Sequence, residues 1–80
     1  MITSEQIQEI LALKFPKSEI IVTDMTGTKD HYEVRVEWPG FEGKSLIEQH
    51  QLVNGALKDR LDDGSIHALS IKTQIAKHAN

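Results

Sequence analysis

The stretch His31-Tyr32-Glu33-Val34-Arg35-Val36-Glu37-Trp38 sets Tyr32, Val34, Val36 and Trp38 in alternation with His31, Glu33, Arg35 and Glu37. A period of two with one apolar and one polar side belongs to a β-strand that lays one face on a core and the other in water. Pro39-Gly40 stops it. Upstream, Glu19-Ile20-Ile21-Val22-Thr23 is β-branched almost throughout, which suits a second half-buried strand. Gly27 marks the short loop between them, and a link of that length makes the two antiparallel. Downstream, Ile66 to Ile75 alternates again, with Leu69, Ile71, Thr73 and Ile75 against Ala68, Ser70, Lys72 and Gln74.

Helical spacing fills the rest of the chain. Thr3 and Gln6 have the interval of a capping box, Glu5 lies where the helix dipole favours an anion, and Ile7, Ile10, Leu11 and Lys14 follow before Phe15-Pro16 ends the helix. Ser45 and Glu48 form a second capping box, after which Leu46, His50, Val53 and Leu57 predict a buried stripe on a helix running to about Leu61. Gly55 inside that helix costs about 1 kcal/mol against Ala, so a close packing partner is expected there. Asp62-Asp63-Gly64-Ser65 reads as a turn or a short helical turn. A strand, crossover helix and strand in succession are parallel and right-handed. The fold expected is therefore α+β, with the order αββααβ and a three-stranded mixed sheet carrying its helices on one face.

Composition narrows the chemistry. Eighty residues make one domain, 1–80, with residues from about 76 read as a disordered tail, and a core of this size hides only roughly 60% of the unfolded surface. No apolar run is long enough for a membrane span, and the N-terminus lacks the pattern of a secretory signal, so a cytoplasmic setting is expected. Cysteine is absent, which excludes disulfide scaffolds, thiol catalysis and any autonomous thiolate-held metal. A net charge of −3 repels phosphate backbones unless a basic face is local. No nucleophile and base stand in a catalytic context, so the chain is not read as an enzyme.

The parallel pairing has a chemical consequence. If the second and third strands are parallel neighbours, His31 and His67 open them at the same sheet edge, where strands sit about 4.8 Å apart. Strict alternation opposes this, because His31 shares the phase of the wet face and His67 that of Leu69 and Ile71. On the bland reading, His67 is a partly buried imidazole bonded to a carbonyl, His31 a solvated loop residue, His50 a core position that fixes how the helix meets the sheet, and His78 a tail residue. Gly40-Phe41-Glu42-Gly43 has the GxxG form that grips nucleic-acid backbones, although its glutamate repels them.

Phe41-Glu42-Gly43-Lys44, His50-Gln51-Leu52-Val53-Asn54 and His67-Ala68-Leu69, in that order, resemble the F-x-G-K, H-x-L-V-N and His-Ala-Leu signatures of BolA-like proteins. The resemblance implies a KH-like (class II) topology lacking a working GxxG between its paired helices. It also implies a monothiol glutaredoxin as partner and a shared [2Fe–2S] cluster, for which the glutaredoxin and glutathione supply sulfur. Within this chain it implies His67 as one ligand and His31 as the loop ligand, with no cofactor held by the isolated chain, itself a monomer or weak homodimer. Imidazole in place of thiolate raises the reduction potential, and binding should fail as imidazole takes up protons. His31 stands where many relatives have Cys, and the tail from Gln74 lacks the family's proline-containing ending. The alternative is a nucleic-acid-binding transcriptional regulator of stress response and cell shape, with DNA as the candidate partner. Partner or nucleic-acid contacts would then fall on Phe41, Gly43, Lys44, His50 and Lys72, with Lys58 and Arg60 adding charge.

Overall fold

A computed structural model describes residues 2–25, 27 and 31–76. The tail expected from about residue 76, including His78, lies outside these from residue 77 onward. The elements are α1 (Ser4–Lys14), β1 (Glu19–Asp24), β2 (His31–Glu37), α2 (Leu46–Ala56), α3 (Lys58–Asp62) and β3 (Ala68–Gln74), with a 3₁₀ turn at Pro39–Phe41. The sheet order is β1-β2-β3, antiparallel in the first pair and parallel in the second. This is the expected α+β arrangement.

Both capping boxes form. The Thr3 hydroxyl accepts from the Gln6 N–H at 3.1 Å while the Gln6 side chain accepts from the Thr3 N–H at 2.9 Å, and Ser45 and Glu48 repeat the exchange at 3.2 and 2.9 Å. Ile7 and Leu11 of α1 and Val53 of α2 then cover Tyr32, Val34 and Val36 on the inner face of the central strand. Burying such side chains stabilises each by about 1.5–3 kcal/mol, the term that sets the sheet's register.

Five expectations are corrected. The long helix does not run unbroken to Leu61; it ends at Ala56 and resumes at Lys58, because Leu57 (φ −106, ψ 9) leaves the helical path to drive a fully buried side chain into the core. Leu46 does not join the buried stripe and is 62% exposed; Gln49 takes that place, one and two helical repeats before Val53 and Leu57. Its burial is tolerated because both ends of the amide are satisfied: Nε2 donates to the Lys44 carbonyl at 2.9 Å and Oε1 accepts from the Thr73 hydroxyl at 2.6 Å. Gln49, and not the half-buried His50, thus links the helix to β3. Among the described residues Gly55 has no packing partner outside its own helix, since a Cβ built there meets nothing within 4 Å. Finally, β3 stops at Gln74, so Ile75 leaves the inner face and is 41% exposed.

Beyond β2, three rings close the far end of the core. Trp38 meets Phe15 at 5.0 Å and Phe41 at 5.2 Å between centroids, and its Nε1–H donates to the Pro16 carbonyl at 2.9 Å. Gly40 is required beneath it: a Cβ there would lie 2.5 Å from the indole.

Candidate functional site

The register of the parallel pair places His31 opposite Ala68, so His67 stands one residue before the ladder, at the same rim as His31. The ring centroids are 6.5 Å apart with planes at 84°. The two imidazoles therefore converge, and the opposing phases read from the sequence do not separate them. The physical reason is that regular β3 begins at Ala68, which frees His67 from the pleat. His67 is exposed, against the expectation of a partly buried imidazole, and His31 is half-buried at the head of a strand.

Each histidine is chained to a buried neighbour. Ile66, 2% exposed, precedes His67, and its N–H donates to the Arg60 carbonyl at 3.1 Å, so the chain enters the core and turns outward within one residue. Tyr32, 1% exposed, follows His31, and its hydroxyl donates to the Ile2 carbonyl at 2.8 Å inside the core. On the loop side, the Met25 N–H donates to the His31 carbonyl at 2.8 Å, and the Asp24 carboxylate accepts from Gly27, whose φ of +74 calls for glycine. On the approach to β3, the Asp63 carboxylate accepts from the Ser65 N–H at 2.8 Å, and this bonding to Ser65 holds Asp63 below the usual carboxylate range. These anchors were missed from sequence; the signal was an apolar residue directly beside each histidine.

Two imidazoles offer two nitrogen donors to one ion. Bound to a single tetrahedral metal at about 2.1 Å, they would hold their centroids about 5 Å apart, a small side-chain movement from the 6.5 Å found. Among the described residues, no group of three or more His, Asp or Glu could hold a metal. A coordination sphere here needs donors from elsewhere.

The remaining sequence candidates do not gather at this rim. Phe41 is fully buried, so it is a core residue and offers no contact surface. Gly43, with φ of +81, and Lys44 are exposed just before α2, while His50 is half-buried on that helix. Lys72 lies on the outer sheet face, 3.2 Å from Glu33. Lys58 pairs with Asp62 at 2.6 Å and Arg60 with Asp63 at 3.8 Å, so these cations already face carboxylates. No helix of the described residues is long and apolar enough to cross a membrane.

The family model of BolA-like proteins matches residues 5–78. The chain belongs to the BolA-like family. This BolA-like chain is 43% identical over 72 residues to an uncharacterised protein of Rickettsia prowazekii, covering 90% of this chain and 92% of that one. It is 41% identical over 73 residues to Protein BOLA2 of Arabidopsis thaliana, covering 90% and 76%. Among solved structures, BolA1 from Arabidopsis thaliana superposes with a TM-score of 0.84 at 27% identity over 100% of both chains. The BolA domain of SufE1 from the same plant gives 0.80 at 31% identity over 90% of each.

Proposed function

We propose that this BolA-like chain is an adaptor, and not an enzyme, that pairs with a monothiol glutaredoxin to hold or pass on a [2Fe–2S] cluster in iron–sulfur trafficking and iron homeostasis. The carrying observation is the convergence of His31 and His67, 6.5 Å apart at one accessible rim. A nitrogen pair presented by a chain without thiols suits the shared cargo, because the sulfur donors come from the glutaredoxin and from glutathione. Imidazole ligation gives a higher potential than thiolate and suits release. The chain's own part is to orient two rings through Ile66 and Tyr32. A glutathione-containing, cytosol-like compartment fits this chemistry.

Mixing the chain with a monothiol glutaredoxin, glutathione, iron and sulfide should give a heterodimer with visible cluster absorption. His67→Ala should change that spectrum strongly and His31→Ala less so. A spectrum indifferent to His67→Ala removes the ligand assignment. The DNA-binding alternative finds less support, because Lys58, Arg60 and Lys72 are paired with carboxylates and the net charge is −3. It would require affinity to fall with log[salt] by a slope near about −0.9 per phosphate contact.

A further inference from the structure

At the opposite end of β2 from the histidines, a groove of about 380 Å³ runs between the end of α1 and α2, lined by Lys14, Phe15, Trp38, Lys44, Leu52 and Gly55 among others. β2 has seven residues, which at about 3.3 Å each separate this groove from the histidine rim by roughly 20 Å. One wall is fixed in advance. Trp38 is held by Phe15, by Phe41 and by its bond to Pro16, and it lies against Gly40. Such a wall loses little freedom when something docks on it.

Gly55 is the unexplained residue of this groove. Its φ is not left-handed and, among the described residues outside its own helix, no atom comes within 4 Å of its missing Cβ, so neither turn geometry nor packing against them requires glycine. In the last turn of a helix it still costs about 0.5–1 kcal/mol relative to Ala. Its effect is to lower the groove floor by one methyl group beside Leu52, which is 41% exposed. Charge supplies the second observation. Lys14 and Lys44 line this apolar floor and form no ion pair among the described residues, whereas Lys58, Arg60 and Lys72 do. The Glu48 carboxylate, which feels Lys44, is committed to the Ser45 N–H.

We propose that this groove docks a short partner segment in which an aliphatic or aromatic side chain is flanked by carboxylates. The apolar side chain packs over Gly55 against the Trp38 ring, and the carboxylates face Lys14 and Lys44. This surface is separate from the cluster rim, and its test needs no iron.

Trp38 is the sole tryptophan, so its fluorescence reports occupancy directly in the full chain. The probe is a capped peptide with a leucine–phenylalanine pair between aspartates, set against the same peptide with lysines in place of the aspartates. A saturable spectral shift is expected for the acidic peptide, at least about tenfold tighter than for the basic one. Gly55→Leu should abolish it. Combined Lys14→Glu and Lys44→Glu should invert the preference, and His67→Ala should leave it unchanged. Gly55→Ala is a second variant certain to keep helix propensity; it should raise the melting temperature while weakening the peptide. Equal binding of both peptides, no saturable shift, or unaltered binding in Gly55→Ala and the charge-reversed protein overturns the proposal. Self-association that Gly55→Leu removes assigns the groove to a second copy and overturns it too.

Discussion

The two ends of β2 are built in opposite ways. At the Trp38 end, three rings lock together over a glycine, with the indole hydrogen-bonded to Pro16. At the His31 end, the two imidazoles owe their meeting to backbone register, and the packing that fixes them belongs to the adjacent Tyr32 and Ile66. One end is rigid because its own rings pack on one another, with Phe15 and Phe41 buried and Trp38 partly so. The other keeps its functional groups in reach of solvent and delegates rigidity to neighbours. The second construction suits the proposed function, since ligating side chains buried in the core could not be met by a partner from outside.

The contrast can be broken most forcefully at the ring cluster. Phe41→Ala should cost about 3–5 kcal/mol in chemical denaturation, the range for deleting a buried aromatic ring; a loss under 1 kcal/mol would show that the cluster does not hold the core. Gly40→Ala drives a methyl into the indole and should cost about 1–3 kcal/mol, with a shifted Trp38 emission as the accompanying signal. At the other end, His67→Ala should move stability by no more than about 0.5 kcal/mol, as for an exposed residue, while the cluster spectrum with the glutaredoxin changes strongly. A large stability loss there would mean that the histidine is structural and the two ends are alike.

The smallest effect concerns pH and tests neither end. The Ser45 backbone N–H and hydroxyl hold Glu48 below the ordinary carboxylate range. A group depressed in the folded state lends stability above its unfolded pKa, and this is lost as pH falls through the lower, folded value. Asp63 has the same sign, so both contributions should fade below about pH 4. Glu48→Gln retains an acceptor for Ser45 and should flatten that acid limb slightly in denaturation measured across pH. Lys58, raised by its bond to Asp62, has the opposite sign and loses its contribution only as pH rises past the lysine range.

Much of the fold was legible because local rules agreed with the global answer. The alternation of Tyr32, Val34 and Val36 and the pairs Thr3/Gln6 and Ser45/Glu48 each have a mechanism confined to a few residues. What escaped depended on distant partners. Gln49 could not be placed in the core without knowing that Thr73 would offer a hydroxyl, and the break at Leu57 follows from a core that also receives Ile66. The histidine rim was half legible: topology brought His31 and His67 to one edge, but phase alone sent them apart. The deciding fact, a strand that starts one residue later, is not written in periodicity.

The parallel pairing of β2 with β3 has one more consequence, for the life of the chain on the ribosome. His31 is synthesised early, yet it acquires His67 beside it only when the crossover through α2 and α3 has closed and the final strand has been laid down. Under the proposed function, truncated or half-made copies would thus offer the shared cluster one imidazole in place of two. If the proposed cluster is bound, it would favour the finished state and in turn protect completed molecules from proteolysis.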